Sequence, residues 1–347
     1  MRKLVILTAL IFTLAVPVSG EEFTAPTAPG EAQELLPAES VSFGKDLWVV
    51  VCNAVSALQP QLRQAAGVCL SLVAVSMLVS CLRTVPAASG NTVEFAGTLA
   101  VAAILLTQTN TLVHLAADTV QELSEYGKLL LPVMTAAMAA QGSVTTSGAL
   151  YAGTALFDAL LSSGINSLLV PMVYVYLALS VAAGAVGEEV LGKLRDLVKG
   201  ITTWSLKTVL YIFTGYMGIT GVVSGAADAA AVKATKLTMS GAIPVVGGIL
   251  SDASEAVIVG AQVVKNTAGV AGLLAVAAIW ISPFLRIGIQ YLLLKLTAGL
   301  CEMFGVKQIN GLIKSFSSAM GLLLGMTGAV CIMLLVSTVC FMKGVGS

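Results

Sequence analysis

The chain has 347 residues, 57% of them hydrophobic and only 10% charged, with a mean hydropathy of +0.95. Soluble domains carry roughly 25% charge, so water is excluded as the solvent of most of this surface, and low-hydropathy disorder is excluded with it. Lys and Arg number 18 and Asp and Glu 18, which leaves no basic excess for a nucleic-acid partner. The composition reads as an all-α, polytopic integral membrane protein.

Residues 1–20 have the layout of a secretory signal: Arg2 and Lys3, an apolar run from Leu4 to Val16, then Pro17 and the small residues Val18, Ser19 and Gly20. Cleaved or kept as an anchor, this segment directs the residues after it out of the cytoplasm. Residues 21–45 form an acidic, proline-broken stretch, with Glu21, Glu22, Glu31, Glu34 and Glu39 between Pro26, Pro29 and Pro37; it reads as a flexible translocated tail. Residues 46–64, Asp46 to Arg63 with Trp48 inside, read as a short amphipathic helix at the membrane face. The predicted domains are thus a signal peptide (1–20), an acidic extracytoplasmic tail with an amphipathic segment (21–64), and a helical transmembrane domain (65–347).

A helix crosses the hydrocarbon core with about 20 mostly apolar residues. The stretches 65–82, 95–115, 168–187, 204–224, 267–294 and 317–342 qualify. Residues 129–165 carry one charge, Asp158, yet Pro132, Gly142, Gly148, Gly153 and Gly164 interrupt the segment. It is predicted to be two short spans or a broken, re-entrant hairpin, giving about six to eight transmembrane helices in all. Positive charge retained in the cytoplasm orients the spans. Lys193, Arg195 and Lys199, and then Lys295, Lys307 and Lys314, mark two cytoplasmic loops. Residues 117–128, with Asp118, Glu122 and Glu125, are expected to be an external loop.

Residues 225–266 should also be external. Ser251, Asp252, Ser254 and Glu255 resemble a helix start. The segment Ile243-Pro244-Val245-Val246-Gly247-Gly248 breaks regular structure. Two amphipathic half-helices meeting at that break, external or re-entrant, are the expectation.

Few residues suggest chemistry. His114 is the single histidine and cannot build a multi-histidine metal site; no GxSxG, HExxH or P-loop occurs. No enzyme, cofactor or metal is expected. Cys52, Cys69, Cys81, Cys301, Cys331 and Cys340 form no CxxC pair and read as packing residues. Charges inside a membrane are functional candidates by default. Asp158 and Arg286 are the two candidates, each lining a polar path, or pairing with the other. Gly215, Gly218, Gly221 and Gly225 on one span, and Gly321 and Gly325 on the last, are helix-packing candidates within the chain or between subunits.

The segment 236–248 (Lys-Leu-Thr-Met-Ser-Gly-Ala-Ile-Pro-Val-Val-Gly-Gly), with Ser251, Asp252 and Glu255, and then Val264, Lys265 and Asn266, resembles the stage III sporulation protein AE family. The signal-like start, acidic tail and serial spans match over nearly the whole chain. The resemblance implies a membrane subunit of a mother-cell/forespore transenvelope channel, or feeding tube, that partly resembles secretion machinery and is needed after engulfment. It implies multi-pass residence in the mother-cell membrane around the forespore. The implied partners are other membrane subunits of the stage III complex and a forespore membrane protein, besides the lipid bilayer. Ile243, Pro244, Val245, Val246, Gly247, Gly248, Ser251, Asp252, Lys265 and Asn266 would be its partner-facing or pore-shaping element. The rival reading is a stand-alone secondary transporter using Asp158 and Arg286.

Overall fold

The computed structural model of the chain describes residues 25–37, 43–84, 90–242 and 247–343. For 90–91, 221–242, 247–266 and 343 the description covers the helical backbone alone. The signal-like segment 1–20 lies outside the described residues. Among the described residues every regular element is helical and no strand occurs. In chain order they are α1 (Gly30–Leu35), α2 (Phe43–Ser56), α3 (Gln59–Arg83), α4 (Gly90–Ala140), α5 (Val144–Gly164), a π-helical turn (Ile165–Leu169), α6 (Val170–Val186), α7 (Glu189–Ala242), α8 (Gly247–Glu302) and α9 (Lys307–Lys343). Five described helices are long and apolar enough to cross a membrane: Gln59–Arg83, Thr92–Ala140, Val144–Val186, Thr267–Glu302 and Lys307–Met342. The chain is a multi-pass membrane protein.

α9 is the hub. It packs against α4, α5, α6, α7 and α8, and 61% of its most apolar window is buried, against 22% for α3. Its inward residues Phe316, Leu323, Met326, Val330, Met333 and Phe341 recur at helical spacing. Each fully buried side chain of this size contributes about 1.5–3 kcal/mol where its alternative is water. In lipid that difference is largely absent, and close packing carries the association instead. Glycines permit that packing at positions outside the predicted stripes. A Cβ on Gly127 would lie 2.8 Å from Leu334 Cδ2, one on Gly272 2.8 Å from Leu130 Cδ1, and one on Gly97 would run into Val79.

α4 and the α5–α6 pair form one long antiparallel hairpin. Ser124 meets Asp158, Asn110 meets Tyr174, and Thr98 lies against Gly184; these contacts descend one arm as they climb the other. Two expectations are corrected here. Residues 117–128 are not a loop but the middle of α4, whose 51 residues run without interruption. Asp118, Gln121, Glu122 and Glu125 share its exposed face, while Val120, Leu123, Ser124 and Tyr126 are buried. Within 129–165 the chain breaks only at 141–143, where Gly142 takes φ +88. Pro132 sits inside α4, and Gly148 and Gly153 inside α5. The π-helical turn has a local cause. Pro171, at the start of α6, has no N–H, and its ring would press on the carbonyl of residue 167. The wider turn, in which Val170 N–H reaches Ile165 O, accommodates it.

Residues 225–242 are the end of α7 and 247–266 the beginning of α8, so the two predicted half-helices are each continuous with a long helix. Ile243, Pro244, Val245 and Val246, at the junction, lie outside the described residues. Part of the acidic stretch 21–45 is ordered: α1 packs on α8, with Ala28, Ala32 and Leu35 buried, and the Tyr126 hydroxyl donates to Pro26 O at 3.2 Å.

The turns at one end of the bundle converge. Gly187, with φ +77, closes α6, and a Cβ on it would lie 3.4 Å from Gln308 Nε2; Gly305, with φ +70, closes the turn between α8 and α9. Both occupy the left-handed region that a Cβ disfavours by about 1–2 kcal/mol. Gly187→Ala is therefore expected to lower stability by about 1 kcal/mol, read as a fall in the midpoint of chemical unfolding in detergent, with the helical circular-dichroism spectrum unchanged.

Candidate functional site

Polar groups concentrate in three places on this apolar frame. The first is the end where the turns meet. Arg83, at the last residue of α3, forms an ion pair with Glu94 of α4 (3.3 Å) and donates to Gly305 O (3.4 Å). Glu94 also accepts from the Gln308 backbone N–H (3.3 Å), and Ser80 Oγ donates to Phe304 O (2.9 Å). Glu94 is 9% exposed, so this carboxylate is largely withdrawn from water and must be satisfied by donors from two other helices. Nearby, Arg195 of α7 donates to Ser315 of α9 at 3.1 Å. Sequence reasoning missed Glu94. The available signal was a lone carboxylate opening an apolar run.

The second place is a seam inside the upper bundle. Asp158 of α5 is 3% exposed and accepts from the Ser124 hydroxyl of α4 at 2.6 Å. Its other oxygen, Oδ1, is buried with no hydrogen-bond partner among the described residues. A turn away, Thr154 donates to Ser337 of α9 at 3.0 Å, both residues fully buried. The seam thus joins α4, α5 and α9 through side-chain hydroxyls.

The third place surrounds Arg286 of α8. Its Nη2 lies 3.3 Å from Glu31 of α1. It borders two clefts: one of about 320 Å³ shared with Glu31, Asp118 and Glu122, and one of about 410 Å³ toward α3 and α4. Asp158 and Arg286, considered together from the sequence, have different partners. Asp158 is held by Ser124 and Arg286 by Glu31, and neither cleft at Arg286 reaches Asp158.

The other sequence candidates divide. A methyl on Gly215 or Gly218 would meet nothing within 4 Å, so neither makes a close approach within the chain. A methyl on Gly321 would sit 3.6 Å from Tyr291, and one on Gly325 3.8 Å from Leu206, ordinary packing distances. The surroundings of Gly221 and Gly225 lie outside the described residues, as do the side chains of Gly247, Gly248, Ser251, Asp252, Lys265 and Asn266. His114 is exposed on α4. All six cysteines are free thiols, with Cys301 and Cys331 buried. Among the described residues no group of three His, Cys, Asp or Glu side chains is placed to hold a metal ion.

Residues 42–344 match the family model described as stage III sporulation protein AE. The chain belongs to the stage III sporulation protein AE family. It is thereby a sporulation-family membrane protein, and the family is not a known enzyme family. A family relative, the stage III sporulation protein AE of Bacillus subtilis (strain 168), is 24% identical over 195 residues, which are 56% of this chain and 48% of that protein. The chain matches about half the length of this relative. No solved structure matches it.

Proposed function

We propose that this family member is a structural membrane subunit of the mother-cell/forespore transenvelope channel complex needed for endospore development after engulfment. The observation that carries the reading is the length of the helices together with their outer faces. At 1.5 Å per residue, α4 extends about 76 Å and α8 about 84 Å, against a hydrocarbon core of about 30 Å. Arg286 lies 16 residues before Glu302, about 24 Å along α8, so one bilayer covers the bundle only up to about this level. Beyond it, Leu129, Val144, Leu156 and Leu160 remain 56–67% exposed. Apolar side chains standing clear of one bilayer need another cover, and neighboring subunits of a complex supply it.

In this arrangement the end bearing Arg83, Lys193, Arg195, Lys307 and Lys314 faces the mother-cell cytoplasm, in keeping with retained positive charge. The signal-like segment translocates the acidic tail, and α7 provides a further span over 204–224. Ile243 to Gly248, with the flanking Ser251, Asp252, Lys265 and Asn266, serve in this reading as the element that meets the forespore partner or shapes the pore. Deletion of residues 242–248 is expected to abolish spore yield after engulfment while membrane insertion and cellular protein level stay unchanged. Wild-type spore counts from that strain would refute the assignment. A tagged copy purified from sporulating cells should bring other stage III membrane subunits with it; recovery alone would count against a complex.

A further inference from the structure

The 410 Å³ cleft lies where the first turns of α3 meet the middle of α4 and the later part of α8. Gln64, Thr107, Gln108, Thr111, Arg286 and Gln290 line it, and no carboxylate does. Arg286 and Gln290 are four residues apart and share one helical face. Gln290 is 4% exposed, and its Nε2 has no hydrogen-bond partner among the described residues. Arg286 Nε is likewise buried without a partner. Two donors withdrawn from water and left unsatisfied are costly, and an arginine between membrane helices adds to that cost. A ligand that accepts hydrogen bonds and carries negative charge removes both penalties.

The level of the cleft selects the ligand further. α3 has 25 residues, about 37 Å, and runs from the Arg83 knot to this cleft. The cleft therefore sits at the boundary between hydrocarbon and headgroups, at the face opposite the turns. Below it the outward flanks of α3 and α4 are apolar, with Leu70 and Leu99 exposed, a surface suited to acyl chains. The Glu31 carboxylate that now pairs with Arg286 is itself 81% exposed, so the pair is a weak, displaceable one. We infer that this cleft binds the phosphate of an anionic phospholipid headgroup, with Arg286 and Gln290 as donors and the hydroxyls and amides of α3 and α4 around it.

The test uses the full chain, purified and delipidated in a neutral maltoside detergent, and calorimetric titration. The probes are dioctanoyl phosphatidylglycerol, dioctanoyl phosphatidylcholine and inorganic phosphate. Phosphatidylglycerol should saturate one site per chain. Arg286→Gln and Gln290→Leu should each weaken it about tenfold or more, the loss of a charge-assisted or buried hydrogen bond. Glu31→Gln should preserve or tighten binding, because it frees the guanidinium. Gln290→Leu leaves the Arg286–Glu31 pair intact, so it decides the matter even where Arg286→Gln does not fold. Equal binding of phosphatidylcholine would overturn the anionic assignment, and phosphate that occupies the site and blocks the lipid would overturn the lipid one. Weakening by Glu31→Gln as large as that by Arg286→Gln would reduce Arg286 to a latch for α1 and sink the inference.

Discussion

Gly153→Leu is expected to separate α7 from α5 and to lower stability by about 3 kcal/mol, the upper range for overpacking a filled interface. Even a Cβ at this position would run into the ring of Tyr216. That ring cannot simply swing away. Its hydroxyl donates to Ala149 O at 2.9 Å, and it packs on Phe157 with centroids 5.9 Å apart. Phe157 in turn meets Phe213 edge-on at 5.5 Å. Moving Tyr216 therefore breaks a hydrogen bond and disturbs an aromatic cluster that ties two helices together. Unfolding by chemical denaturant in detergent, followed by circular dichroism, measures the loss. Adding Tyr216→Ala to Gly153→Leu should restore part of it, because the leucine then fills the space the ring vacated. No recovery in the double variant would mean that the clash lies elsewhere.

The second large effect concerns the buried carboxylate. Ser124→Ala is expected to cost about 2–3 kcal/mol, since it leaves both oxygens of Asp158 buried without a donor. Asp158→Asn should stay within about 1 kcal/mol of the parent. The Ser124 hydroxyl still donates to the amide oxygen, and a neutral amide is cheaper to bury than a carboxylate. The same variant examines the rival reading as a stand-alone carrier. Spore yield is expected to remain normal in the Asp158→Asn strain. A stable Asp158→Asn protein that supports no spores would show that the negative charge itself is used, and would revive a transport role for it.

Five of the spans were visible in the sequence because lipid imposes a coarse rule, an apolar run of sufficient length, that survives any error in detail. The span at 95–115 was placed correctly but cut short. Asp118, Glu122 and Glu125 read as charges of a loop, although their spacing of three or four residues has the phase of a helix. Gln121 and Glu125, four apart, hydrogen-bond at 2.9 Å along that same face. The breaks at Pro132, Gly148 and Gly153 were overcalled for a related reason. Within a tightly packed bundle, neighbors compensate for a missing N–H or a missing side chain. The glycine at 142 breaks the helix because the chain reverses there.

The polar sites were legible only as single residues. Asp158 and Arg286 stand out against an apolar background, but their partners, Ser124 and Glu31, lie 34 and 255 positions away. Nothing local points to either. Gln290 was readable in principle, as a second polar residue on the face of Arg286. The close-approach glycines were not. Gly97, Gly127, Gly153 and Gly272 matter because of a large side chain on a different helix, whereas Gly215 and Gly218, with the more regular spacing, face open space.

The placement of α9 at the center has a consequence for biosynthesis. The hub comes after all the helices it contacts, so α4 to α8 leave the ribosome before their shared partner exists. At about 5–20 residues per second, the 37 residues of α9 take about two to seven seconds to make. During that interval the Ser124 hydroxyl of α4 can pair with Asp158 of α5 across their own hairpin, while the wall facing α9 stays uncovered. Translation of the last helix thus acts as the closing step, converting a loose ring of inserted helices into a solid bundle.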